Sequence, residues 1–97
     1  MGASKANQFS NELKELSLTA RALAHPARVS IVNELKQSST MRSIDFAMLL
    51  KLNPSTIHKH LQKLKDANLI EMEYAVHYYT IRLINENLED LHSFLRN

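Results

Sequence analysis

The chain has 97 residues, a net charge of +2, one glycine, two prolines and no cysteine. One domain spanning 1–97 is expected, and without cysteine there are no disulfides, thiolate metal sites or cysteine nucleophiles. Hydrophobic content of 44% with 23% charged residues excludes a disordered chain, and no apolar run nears the ~20 residues of a membrane span.

The opening MGASKA has Ala6 where a myristoylation signal needs Ser or Thr, and it has no signal-peptide core, so no lipid anchor or leader is expected. FSNELKELSLTARALAH then sets Phe9, Leu13, Leu16, Ala20 and Leu23 at helical spacing behind a Ser10 cap. His25-Pro26 breaks that helix and opens the next, PARVSIVNELK, because the residue before proline is pushed out of the helical region while proline suits a first turn. Val29, Val32 and Leu35, with Ile31 beside them, form its apolar stripe. Thr40-Met41-Arg42 is a candidate short strand. Ser43 is expected to cap a third helix, IDFAMLLK, with Ile44, Ala47, Met48 and Leu50 inward and Asp45 complementing the helix dipole.

The fourth helix begins on Asn53 as cap and Pro54 as first residue. At ~100° per residue, Ile57, Leu61 and Leu64 share one face. Ser55, Thr56, Lys59, Lys63 and Asp66 lie opposite, with His58 and Gln62 at the edge. Asn68 stands where a helix-ending glycine is usual. LIEMEYAVHYYTIRLI reads as two alternating strands, with Ile70, Met72 and Tyr74 and then Tyr79, Ile81 and Leu83 on one face. Their turn falls near Tyr74–His77 without glycine. NENLEDLHSFLRN closes as a helix capped by Asn85, carrying Leu88, Leu91 and Leu95 on one side. The expected class is mainly α with a small β-hairpin, in the order α-α-(short β)-α-α-β-β-α.

Charge is unevenly placed along this order. Residues 42–65 carry Arg42, Lys51, Lys59, Lys63 and Lys65 against Asp45 alone, a local balance of +4. A polyanion would be met there. Lysines neutralise phosphates and release counterions, small hydroxyl residues allow close approach, and a helix N-terminus favours phosphate. The plain alternative is a solvated helix face.

A short helix, a tight turn, a second helix with a basic outer face and a hairpin make a winged helix-turn-helix. ALAHPARVSIVNEL resembles the ArsR/SmtB repressor pattern ALADPTRRRILELL. LNPSTIHKHLQKLKDANLI is similar to that family's LSQSTVSRHLKVLREAGLV, and VHYYTIRL to its VYYRL. The resemblance runs from Leu16 to Leu83. It implies a cytoplasmic prokaryotic transcription regulator, a repressor, binding double-stranded DNA as a homodimer with the fourth helix in the major groove. Ser55, Thr56, His58 and Lys59 fall where the family reads bases or anchors phosphates; Arg42, Gln62 and Lys63 join them on the basic surface. The family dimerises through its terminal helices, which here carry Phe9, Leu13, Leu16, Leu88, Leu91 and Leu95. Those stripes could instead pack on the chain's own core. A dimer places two reading helices ~34 Å apart, so a palindromic operator is expected.

The departures are specific. The family's thiolate metal element has Arg42 and Ile44 at its cysteine positions, and its other metal site finds only His92 near the C-terminal end, so no metal or cofactor is expected. Glu89 and His92 share a face at i, i+3, more simply a surface contact than a zinc pair. The wing lacks the usual Gly and Arg. His60 flanks the core face of its helix and reads as a packed histidine, and His25 serves near a helix start. His58, His60 and His77 lie near the basic surface, so acidification is expected to tighten DNA binding. No phosphate loop, nucleophile arrangement or carboxylate pair marks an enzyme. The competing reading is a protein-interaction module using Glu71, Glu73, Glu86 and Asp90 on the hairpin and last helix. The alternatives for control are a small organic ligand, a second protein, redox chemistry without cysteine (the weakest of these) or no effector at all.

Overall fold

The computed structural model describes residues 8–97; the MGASKA stretch, with its near-match to a lipid signal, lies outside the described residues. Five helices and a small sheet follow the expected order: α1 Asn11–Ala22, α2 Pro26–Ser38, β1 Thr40–Arg42, α3 Ser43–Leu50, α4 Pro54–Asp66, β2 Ile70–Ala75, β3 Tyr78–Leu83 and α5 Asn85–Arg96. The three strands are antiparallel in the order β1-β3-β2. Pairing sets Met72 opposite Ile81 and Tyr74 opposite Tyr79, with Met41 facing Ile81 from the other side. The fold is a winged helix-turn-helix, with β2–β3 as the wing.

Local chemistry explains most boundaries. Ser10 accepts the Leu13 N–H at 3.2 Å. His25 Nδ1 accepts the Ala27 N–H at 3.0 Å, which makes a histidine the cap of α2. Asn53 Oδ1 accepts the Thr56 N–H at 2.8 Å at the start of α4. That helix ends in a Schellman turn: Asn68 N–H donates to the Lys65 carbonyl at 2.9 Å and Leu69 N–H to the Leu64 carbonyl at 3.0 Å, with Asn68 left-handed at φ 58°. The wing turn is two residues, Val76 and His77, and His77 takes φ 106° where glycine is usual. Without that glycine the turn leaves little mark in the sequence.

The core joins Ile31, Val32 and Leu35 of α2, Phe46 of α3, Ile57, Leu61 and Leu64 of α4, and Leu69, Ile70 and Ile81 of the wing base. Several expectations are corrected by it. In α3, Phe46 is fully buried while Met48 is 76% and Ile44 37% exposed. The helix is apolar almost all round, so its sequence carries no polar face to set the phase. In α1 the buried residues are Thr19 and Ala22, and Ala20 is exposed, because α1 meets the core only through its last turn. Val29 in α2 is half exposed. The caps shift too: Arg42 rather than Ser43 precedes α3, and Ile84 rather than Asn85 precedes α5. Ser43 Oγ instead accepts the Tyr79 N–H at 3.0 Å, tying α3 to β3. Asn87 donates to the Ala67 and Asn68 carbonyls, tying α5 to the end of α4.

Candidate nucleic-acid interface

Helix α4 buries Ile57, Leu61 and Leu64 completely or nearly so and turns Ser55, Lys59 and Lys63 to solvent. The period that fills the core on one side therefore lines up the two lysines at i, i+4 on the other. Neither lysine enters an ion pair among the described residues. Thr56 is half buried in the first turn, its N–H taken by the cap, and the Ser55 hydroxyl donates to the same Asn53 oxygen at 2.8 Å. The N-terminus is thus pinned, and the lysines project from a fixed helix.

Arg42 and Gln62 are engaged within the chain, and His58 lies against the wing. Gln62 donates to Asp66 at 3.1 Å, towards the C-terminal end of α4. Arg42 is held by Asp45, with Nη2 to Oδ1 at 2.9 Å, and its guanidinium lies 5.6 Å from the centre of the Tyr78 ring. Asp45 raises the Arg42 pKa, and Arg42 holds the Asp45 carboxyl below its usual range, first through the side-chain hydrogen bond and then through the backbone N–H. The +4 of this segment is carried outward by lysines. His58 is exposed, with its ring centre 5.6 Å from that of Tyr79.

His60 turns inward. Its ring centre is 4.4 Å from that of His25, and its Nδ1 lies 3.4 Å from an Arg28 nitrogen. Arg28 also donates to the Ala22 carbonyl at 2.6 Å across the α1–α2 break. Burial first, then the charges of His25 and Arg28, push the His60 pKa down. His60 is therefore no part of an acid-strengthened surface; His58 and His77 stay exposed. Strand alternation places Tyr74 and Tyr79 on the hairpin, but only the fold sets their rings beside α4.

At the terminal helices, α1 and α5 pack on each other. Leu88 rests on the core, Leu16 and Leu91 are half buried, and Phe9, Leu13 and Leu95 are exposed, Leu95 to 71%. Leu18 and Phe94, outside the expected stripes, add to the apolar surface. Among the described residues no group of three or more His, Cys, Asp or Glu could hold a metal ion, and no helix is long and apolar enough to cross a membrane.

The family model described as "Bacterial regulatory protein, arsR family" matches residues 25–72, from the cap of α2 to the first half of β2. Over these residues the chain is similar to the ArsR family. The transcriptional repressor PagR of Bacillus anthracis is 34% identical over 62 residues, a match that spans 63% of this chain and 63% of that protein. The crystal structure of PagR has a TM-score of 0.68 at 25% identity, covering 86% of this chain and 94% of PagR. An ArsR-like transcriptional regulator from Rhodococcus sp. RHA1 has a TM-score of 0.76 at 23% identity, covering 90% of this chain and 81% of that one. Another ArsR family transcriptional regulator reaches 0.80 at 18% identity, with 91% and 90% covered. These likenesses agree on the ArsR winged-helix fold.

Proposed function

We propose that this chain is a sequence-specific DNA-binding transcriptional repressor that acts in the cytoplasm as a homodimer on a palindromic operator. The observation that carries the reading is the outer face of α4, where Lys59 and Lys63 project from a helix whose start is capped and whose inner face is locked in the core. Ser55 and Thr56 bring that N-terminus into the major groove, and Lys59 and Lys63 take phosphates. Likeness to the repressor PagR supports repression as the outcome.

The dimer reading is supported by α1 and α5, which leave Phe9, Leu13, Phe94 and Leu95 exposed. Beside them an apolar groove of about 290 Å3, lined by Val29, Leu91 and Leu95, opens between α2 and α5. A two-fold axis there makes the operator an inverted repeat. The competing acidic hairpin is weakened by the fold, because Arg82 of β3 pairs with Glu71 of β2 across the wing.

Selection of duplexes from a random DNA pool tests the proposal, with Lys59→Ala/Lys63→Ala as the control. The expected result is an inverted repeat that the control fails to enrich. Weak, sequence-blind binding by both proteins would refute it.

A further inference from the structure

Resting on the DNA-binding reading, we infer that His58 is a positioning residue for the wing rather than a reader of bases: it forms, with Tyr79 and Tyr74, an aromatic brace that sets the angle between α4 and the β2–β3 hairpin. The His58 and Tyr79 ring centres are 5.6 Å apart at an interplanar angle of 41°, and Tyr79 meets Tyr74 edge-on at 5.2 Å. Both separations lie in the range of attractive aromatic pairs. Tyr79 is the junction of the brace. Its ring neighbours α4 and β2, while its backbone N–H is bound by Ser43 Oγ at the start of α3. All four residues line one cleft of about 280 Å3 between α4 and the wing, together with Ile57.

The wing needs such a brace for a reason visible in its own residues. It is two strands joined by a turn held at an unfavourable φ by His77, and Tyr74 and Val76 near its tip are 69% and 73% exposed. β1 adds a third strand only at residues 80–82 of β3, and the two-stranded tip beyond is marginally stable by itself. The core holds its base at Ile70 and Ile81, which lie five and three residues from the turn-side ends of β2 and β3, and Met72 and Tyr79 are partly buried against it. Beyond that base, the rings of Tyr79 and His58 join the hairpin to the reading helix. A histidine ring committed sideways to Tyr79 is poorly placed to face the groove. The position is then one where ring shape counts, not hydrogen-bonding nitrogens.

The test compares His58→Ala with His58→Phe, which keeps a ring and loses both nitrogens. In the free protein, amide exchange at Ala75–Tyr78 is measured. With DNA, the selected sequence and the hydroxyl-radical footprint are read. The alanine variant should exchange faster at the wing tip, bind about three- to ten-fold more weakly, and lose protection flanking the half-sites while selecting the same half-site bases. The phenylalanine variant should restore tip protection, flanking footprint and affinity. Wild-type exchange at the tip of His58→Ala overturns the brace. So does a changed base preference in both variants, which would make His58 a reader. If the unaltered protein selects no duplex, the DNA-binding reading fails, and the exchange measurement still decides whether the brace exists.

Discussion

Asp45 holds Arg42 at three points: its carboxylate accepts the Arg42 backbone N–H at 2.9 Å, Nε at 3.3 Å and Nη2 at 2.9 Å. One acid therefore closes the start of α3 and occupies a cation that the sequence offers to phosphate. Replacing it separates the two roles. Asp45→Ala should cost about 0.5–1 kcal/mol through the lost backbone cap. It should also steepen the dependence of log affinity on log salt by about 2 per dimer, as Arg42 is freed on each protomer. Denaturant melts and anisotropy titrations at several salt concentrations check both; an unchanged slope would mean that Arg42 already reaches phosphate. Because the folded Asp45 pKa is lowered, its stabilisation is complete above the ordinary carboxylate pKa and is lost as pH falls through the folded value.

On the proposed DNA-binding reading, with Arg42 held, Lys59 and Lys63 are expected to make most of the phosphate contacts, helped by Lys51 and Lys65. About six contacts per dimer give a salt slope of about −5. Lys59→Ala/Lys63→Ala removes about four of them and should bring the slope to about −2, leaving affinity too weak for selection to enrich the repeat. A slope still near −5 in the double variant, by the same counting of about six contacts, would place the interface elsewhere on the chain.

His60 makes the fold sensitive to mild acid. Its folded pKa is depressed by burial and by the neighbouring His25 and Arg28, so below the ordinary histidine value of about 6.5 the unfolded chain binds a proton more readily than the folded one. Stability from neutral His60 is complete above that value and is lost as pH falls through the folded pKa. The melting temperature should drop between about pH 7.5 and 5.5, and His60→Gln should flatten that drop. This window lies above that of Asp45, which keeps the two effects apart. An equal drop in both proteins would assign it to other groups.

Leu13 and Leu95 are exposed on α1 and α5 and support no core in the single chain. Leu13→Asp/Leu95→Asp should therefore leave the helical circular dichroism close to wild type while shifting the species seen in sedimentation from dimer to monomer. Operator affinity should fall at least about ten-fold, since each protomer would then bind one half-site alone. A wild-type protein that sediments as a monomer at micromolar concentration would overturn the dimer proposal.

Local chemistry makes much of this protein legible in its sequence. Asn53-Pro54 starts α4 wherever it lies, Ile57, Leu61 and Leu64 repeat at the helical period among polar neighbours, and Asn68 ends the helix by its tolerance of positive φ. These are properties of a few consecutive residues, and so pattern alone locates α4 and its lysine face. Alternation locates the wing strands in the same way.

Other features belong to no single segment. IDFAMLL is apolar on nearly every side, and only packing against α4 and β3 decides that Phe46 is buried while Met48 faces out. His58 and His60 are two residues apart in one helix, so their rings diverge, one to the wing tyrosine and the other to His25 at the start of α2. Sequence settles what depends on backbone preference and period. Tertiary structure alone decides which side chains meet across elements, because those contacts join residues far apart in the chain, as Ser43 and Tyr79 are at 36 positions.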